Sequence, residues 1–249
     1  MSEPVPIPRP RRLVVDWRIL AAAVVVIGAC AIVAAFQMRQ ARLRRLILAT
    51  PAATVAAHPE LVRFAVSEAR PLFARQCASC HGADLKGRIE TGAPNLTDRV
   101  WLYGDGGVFD IERTILYGIR SEQKKSHNIT EMPAFGQRGQ LSEADINNVV
   151  QYLLALNGRP HDIEAADFGR AVFTGPASCN DCHAADAKGN SDYGATDLTA
   201  NVWDYGGSPR QLHDSIYFGR HGVMPGWAGK LTLEQIRALA IYVHAASHR

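Results

Sequence analysis

Cysteine is scarce in this chain, with five in 249 residues, and four of the five fall in two short motifs. No disulfide framework is therefore available to hold the fold. Charge imbalance is also slight. Lys and Arg number 27 against 24 Asp and Glu, a formal +3, and no basic stripe is interleaved with aromatics, which argues against a nucleic acid partner. No general acid–base pair, nucleophilic triad or phosphate-cradling loop stands out. Gly104-Asp105-Gly106-Gly107 lacks the strand-to-helix setting of a nucleotide fingerprint and reads as turns. Alternating apolar and polar residues are nearly missing, so strands are not expected and the chain reads as mainly α-helical.

What is present is a duplicated pentapeptide, Cys77-Ala78-Ser79-Cys80-His81 and Cys179-Asn180-Asp181-Cys182-His183. Cysteines three positions apart lie on one side of a helical turn, where each can form a thioether to a porphyrin vinyl group. The adjacent histidine then falls under the iron as its proximal ligand. Cys-x-x-Cys by itself also serves redox dithiols and zinc sites. Here each copy is followed by a Met-Pro pair, Met132-Pro133 after 51 residues and Met224-Pro225 after 41, and each pair offers a sulfur for the sixth iron position.

Two covalently bound haems c are expected. Cys77, Cys80, Cys179 and Cys182 form the thioethers, and His81, Met132, His183 and Met224 are the axial ligands. The remaining methionines, Met1 and Met38, lie at or before the apolar segment described below. Spacing leaves open whether each methionine serves its own repeat's haem or the neighbour's. Imidazole and thioether together make a six-coordinate iron suited to electron transfer rather than oxygen binding, and the prolines keep both ligand loops out of regular structure. His127 and His221 lie near the Met loops and are alternative ligands in an altered state; the other histidines read as surface or loop residues. Trp101, Tyr103, Trp203, Tyr205 and Trp227 are expected around haem edges.

Cys77 and Cys179 are 102 residues apart, and Trp101-Leu102-Tyr103-Gly104 recurs at that offset as Trp203-Asp204-Tyr205-Gly206. Beyond Ile119 the register slips by ten, which marks Ser121 to Thr130 as a surface insertion. Each repeat of about 90 residues is small for a core of its own, and a haem supplies the missing apolar bulk. Pro59 to Gln76 reads as a helix delivering Cys77, with Phe64, Leu72 and Phe73 buried. Ile163 to Phe173 does the same for Cys179, and Gly169 permits close helix approach. Ser142 is the expected N-cap of an amphipathic helix ended by Gly158, matched by a terminal helix from Leu231-Thr232-Leu233-Glu234, with Asn157 to Asp162 as the linker between the repeats. The expected organisation is a tail (1–18), a transmembrane anchor (19–36), a basic juxtamembrane segment and linker (37–58) and two tandem domains (59–158 and 159–249). The order of elements in each domain looks like that of a class I cytochrome c.

Ile19 to Phe36 is an unbroken run of apolar or small residues at the lower end of the length that spans a hydrocarbon core. Arginines flank it on both sides, Arg9, Arg11, Arg12 and Arg18 before it and Arg39, Arg42, Arg44 and Arg45 after it, so the positive-inside rule does not choose an orientation. A cleaved signal peptide is the competing reading. The run is longer than an ordinary apolar signal region and continues as a basic helix from Met38 to Leu46, which favours a retained anchor. Cys30 reads as a small helix-packing or lipid-facing residue.

Taken together, His58-Pro59-Glu60-Leu61, the first haem motif, Gly92-Ala93-Pro94-Asn95-Leu96-Thr97-Asp98, Trp101-Leu102-Tyr103-Gly104, Glu131-Met132-Pro133-Ala134-Phe135-Gly136 and Gly219-Arg220-His221-Gly222-Val223-Met224-Pro225-Gly226-Trp227 resemble the dihaem subunit of cbb3-type cytochrome c oxidases. The resemblance covers about residues 58 to 246. It implies electron flow from a soluble donor cytochrome c, through this chain, to a mono-haem subunit and the haem-copper catalytic subunit. It also implies an inner-membrane location with the haem domains in the periplasm. The methionines in that family cross between repeats, which pairs His81 with Met224 and His183 with Met132. The chain departs from the family at Ala184, where glycine is usual, and at Thr196, where the first repeat has Pro94. Against the oxidase subunit stand a free-standing anchored carrier, a dehydrogenase's cytochrome subunit and a dihaem peroxidase. The last needs an open iron site, which two Met-Pro loops oppose.

Overall fold

The structure, a computed structural model, describes residues 17–175 and 177–248. The tail before Trp17, with Arg9, Arg11 and Arg12, lies outside the described residues. The chain divides into two compact units, Met1–Arg45 and Leu46–Arg249.

Helix α1 (Trp17–Ala49) accounts for the described part of the first unit and ends in the second. Its 33 residues extend roughly 50 Å at 1.5 Å per residue. The helix runs on through the basic stretch after Phe36. From Trp17 to Phe36 its apolar side chains are exposed on every side, Val25 at 70% and Ile32 at 72%, whereas Leu43 and Ile47 further along are buried; a stretch apolar all round suits lipid rather than water. By length and composition α1 can cross a membrane.

The second unit contains α2 (Ala52–Val55), α3 (Pro59–Gln76), α4 (Ala78–His81), α5 (Val108–Tyr117), α6 (Glu143–Leu156), α7 (Ile163–Thr174), α8 (Cys179–His183), α9 (Pro209–Phe218) and α10 (Leu233–Ser247). Among the described residues the only β pairing is isolated bridges. Within the stretch read as a linker, α2 buries Val55 completely and packs on α5. The long helices form where local chemistry favours them. Ser142 accepts from the Asp145 N–H at 3.1 Å while the Asp145 carboxylate accepts from the Ser142 N–H at 3.1 Å, a reciprocal cap that satisfies two otherwise orphaned donors. Ser208 with Gln211 and Thr232 with Gln235 repeat this arrangement at α9 and α10.

The duplication is tandem in sequence and exchanged in space. α10, at the end of the second repeat, packs on α3 and α5 of the first, whereas α6, at the end of the first, packs on α7 and α9 of the second. One aromatic contact appears in both places. Phe73 on α3 meets Tyr242 on α10 edge-on at 5.6 Å, and Phe173 on α7 meets Tyr152 on α6 at 5.4 Å. We call α3, α4, α5 and α10 the first lobe and α6 to α9 the second. Ile146, Val149, Val150 and Leu153 of α6 share the second lobe's core with Leu212 and Ile216 of α9. Gly169 lets α7 approach α6 so closely that a Cβ there would stand 2.0 Å from the Asn148 carbonyl oxygen. In the first lobe Arg237 of α10 meets Glu112 of α5 at 2.6 Å and donates to the carbonyls of Ile47 and Thr50 at 3.2 and 3.0 Å.

Candidate haem-ligating sites

In the first lobe α3 ends at Gln76, and Cys77 closes it with an N–H bond to the Phe73 carbonyl at 2.8 Å. The chain then makes one more helical turn, α4, which carries Cys80 and His81. In the second lobe Ser178 adopts the left-handed region, φ 46°, and α8 begins at Cys179. None of the four motif cysteines is paired in a disulfide. Burial pushes the thiols of Cys77 and Cys179 up to about 11, opposite to the depressed thiols of redox dithiols and metal thiolates.

The histidines are oriented alike. His81 Nδ1 lies 3.4 Å from the Pro94 carbonyl oxygen, and His183 Nδ1 lies 3.0 Å from that of Thr196. A carbonyl only accepts, so each Nδ1 carries the proton and each Nε2 keeps its lone pair. This outer hydrogen bond is the one that orients a metal-bound imidazole. Burial lowers the pKa of both rings and favours the neutral, ligating form. Thr196 replaces the proline of the first repeat without losing this contact, because the backbone oxygen makes it.

The methionines enter through matched backbone pairs. Met224 and Ile119 exchange N–H···O bonds of 3.0 and 2.9 Å, and Met132 and Arg220 exchange bonds of 3.0 and 3.1 Å. Each methionine segment is thus bonded to the residue after the glycine that ends the middle helix of the opposite repeat. Those glycines have no substitute. Gly118 and Gly219 have φ +75° and +70°, and a Cβ on them would stand 2.3 Å from the Met224 carbonyl oxygen and 2.4 Å from that of Met132. Met132 and Cys179 both pack against the second lobe's core. A neutral imidazole, two thiols on the adjoining turn and a thioether brought to the same lobe are the donor set of a covalently held haem, so the residues fit that group.

Two arginines that sequence reasoning passed over hold these segments. Arg120 donates to the Gly222 carbonyl at 2.7 Å and to the Thr130 carbonyl at 3.2 Å, each two residues before the methionine of a Met-Pro pair. Arg220 donates to Ser215 Oγ at 2.9 and 3.1 Å and lies 4.2 Å over the Tyr205 ring. The acceptors of Arg120 are backbone oxygens, and Arg220 reaches the Tyr205 ring from another part of the chain, so neither role is marked by side-chain spacing. The aromatics also reach across: Tyr103 lies against Gly194 and Tyr205 against Gly92. Trp203 packs on the second lobe's core, and Trp101 lies against Gly106.

The inserted loop is less superficial than its sequence implies. His127 from it stacks on Tyr103 at 4.1 Å, and its backbone bonds to Gly118 and Arg120. His221 lines a cavity of about 380 Å³ with Met132 and Phe218. His213 bonds the Glu143 carboxylate at 2.8 Å, and His244 Nδ1 donates to the Gly106 carbonyl at 2.9 Å. Lys86, Lys124, Lys125 and Lys188 are exposed.

A family model described as cytochrome c oxidase, cbb3-type, subunit III matches residues 64–153 and 164–243, one match per repeat. The chain is 36% identical over 210 residues to the cbb3-type cytochrome c oxidase subunit CcoP of Cereibacter sphaeroides, covering 84% of this chain and 71% of that protein. Against the subunit FixP of Azorhizobium caulinodans it is 42% identical over 195 residues, covering 78% of this chain and 64% of that one. The CcoP subunit of Rhodobacter capsulatus is 39% identical over 207 residues, covering 80% and 68%. The match thus spans about two thirds of the length of these relatives.

Proposed function

Because the chain belongs to the family of subunit III of cbb3-type cytochrome c oxidases, we propose that it is the membrane-anchored dihaem cytochrome of such an oxidase. It passes electrons from a soluble donor cytochrome c towards the mono-haem subunit and the oxygen-reducing haem-copper subunit. It has no reaction of its own and serves a proton-pumping complex. α1 holds it in the bacterial inner membrane, and the haem domains face the periplasm. The repeat units are 59–158 and 159–249. One haem is attached through Cys77 and Cys80 and ligated by His81 and Met224; the other is attached through Cys179 and Cys182 and ligated by His183 and Met132.

The observation that carries this reading is the reciprocal bonding of the two methionine segments, Met224 to Ile119 and Met132 to Arg220, together with the exchange of α6 and α10. When bound, the haem supplies an iron that changes oxidation state with little change in coordination. The protein supplies the rest. The carbonyls of Pro94 and Thr196 fix the imidazole tautomer, the apolar lobes exclude water, and the soft methionine sulfur favours the reduced iron. Arg120 holds both methionine segments at once, so neither is free to swing away when the charge at the iron changes.

Two experiments test the reading. Gentle solubilisation and native purification should yield two c haems on this chain, with b-type haem, copper and oxygen uptake from reduced cytochrome c in the same preparation. Two c haems without those partners would favour a free-standing carrier. For the crossed ligation, Met224→His should lower the potential of the haem whose methyl resonances connect to Cys77 and Cys80, and Met132→His that of the haem on Cys179 and Cys182. The opposite connection would overturn the crossing.

A further inference from the structure

At the offset of 102, Asn95-Leu96-Thr97-Asp98-Arg99-Val100-Trp101-Leu102-Tyr103 aligns with Asp197-Leu198-Thr199-Ala200-Asn201-Val202-Trp203-Asp204-Tyr205. In that register Asp98 corresponds to Ala200, and Asp204 corresponds to Leu102. The duplication therefore contains two mated pairs of positions, Asp98 with Asp204 and Ala200 with Leu102. Only one of them is charged.

The fold brings that charged pair together. Asp98 and Asp204 line one cavity of about 560 Å³ between the repeats, with Lys86, Arg88 and Glu90 on its wall. Asp204 is held there by its neighbours, because Trp203 packs on the second lobe's core while Tyr205 reaches to Gly92 of the first repeat. Asp98 follows closely on Pro94, whose carbonyl orients His81, and its Oδ1 accepts from the Val100 N–H at 3.0 Å. Lys86, Arg88 and Glu90 are solvent-exposed, where water and salt screen them. Asp98 is the charge that acts on Asp204, and burial together with that like charge pushes Asp204 up to about 6; burial raises Asp98 as well.

We propose that Asp98 and Asp204 share a proton at mildly acidic pH and that its uptake and release are coupled to reduction and oxidation of the adjoining haem iron. The inference rests on the two-haem reading above. The step balances simply. The donor cytochrome gives one electron to a ferric haem, and the added negative charge raises the cost of ionising both carboxyls, so up to one proton enters from solvent through the cavity. When the electron passes to the next carrier, the proton returns to solvent. By linkage, a group that holds its proton more tightly in the reduced protein makes reduction less favourable as pH rises. The two carboxyls titrate as a pair rather than as independent sites. The Ala200 and Leu102 positions offer no such proton, so the two haems differ in pH response even though their ligands match.

The test is a spectroelectrochemical titration of the full-length, detergent-solubilised protein across pH, after its haem content has been measured. Fewer than two c haems would sink the functional reading before this one is reached. In the native chain at least one haem should shift several-fold in its reduced-to-oxidised ratio, at fixed poise, between about pH 5 and pH 7, towards the oxidised form as pH rises. Asp204→Asn should flatten that dependence while leaving the visible spectrum unchanged. Asp98→Asn removes the like charge and should move the inflection to lower pH without abolishing it. Infrared difference spectra of the native protein should show a neutral carboxyl carbonyl band gained on reduction, which Asp204→Asn removes. No pH response in the native chain, or the same response in Asp204→Asn, as titrating haem propionates alone would produce, overturns the proposal. Should Asp204→Asn not fold, the infrared band of the native protein and the Asp98→Asn titration decide.

Discussion

In the first lobe α10 is tied to α5 by Arg237 and Glu112, 2.6 Å apart with side chains 12% and 11% exposed. In the second lobe the corresponding tie between α6 and α9 is His213 with Glu143, 2.8 Å apart, and here the carboxylate is 66% exposed. Both contacts join a repeat's terminal helix to the middle helix of the other repeat. They differ in what remains if one partner is lost. A desolvated guanidinium stripped of its carboxylate leaves a buried charge with only backbone carbonyls to answer it, whereas an exposed carboxylate returns to water at little cost. Two lobes built on one plan are thus held by contacts of unequal weight, and the first carries the additional bonds from Arg237 to the carbonyls of Ile47 and Thr50.

The largest effect expected from breaking this comparison is on the first lobe. Glu112→Gln should destabilise the protein by roughly 3 to 5 kcal/mol, read as a lower denaturant midpoint with loss of the first lobe's haem absorbance ahead of the second's. Next come the glycines beside the ligand loops. Gly118→Ala and Gly219→Ala each force a Cβ into a left-handed residue facing a carbonyl oxygen, which should cost about 2 kcal/mol or more. Each should weaken methionine ligation at one haem only, Gly118→Ala at His81 and Gly219→Ala at His183, as followed by the spectral signature of iron–methionine bonding.

A smaller gain is expected after the second haem motif. Gly82 follows the first motif at φ 74°, whereas Ala184 follows the second at φ 61°, and the alanine is strained there. Ala184→Gly should stabilise the second lobe by about 0.5 to 1 kcal/mol, measurable as a modest rise in thermal midpoint. Smallest of all is Glu143→Gln, which should change stability by less than about 0.5 kcal/mol and in a salt-dependent way. A loss as large as that of Glu112→Gln would erase the distinction between the lobes.

Local structure was widely legible in the sequence. α3 runs from Pro59 to Gln76 as its composition implies, with Phe64, Leu72 and Phe73 buried. Ser142 caps α6, Thr232 caps α10, and Gly169 sits where two helices nearly touch. Each of these rests on residues a few positions apart. The inserted segment was legible as an insertion from the slipped register, but not the stacking of its His127 on Tyr103, which depends on how the loop folds back. Arg120 was illegible for a related reason: its acceptors are carbonyl oxygens, which every residue has.

By itself the sequence determined the long helices α3, α6, α7 and α10, the Ser142 cap, the apolar segment and the side chains available to hold haem, because these follow from spacing along one stretch of chain. The pairing of the helices was decided only in three dimensions. A duplicated sequence offers α3 two similar partners, α6 and α10, and no local pattern prefers either. The short connection from Asn157 to Asp162 folds α7 back onto α6 as an antiparallel hairpin. α6 is then occupied and α10 is left for α3. The placement of Met224 beside the first repeat, the meeting of Arg237 with Glu112 and that of Asp98 with Asp204 accompany this exchange, since each joins residues about 90 or more positions apart whose encounter is set by packing rather than by proximity along the chain.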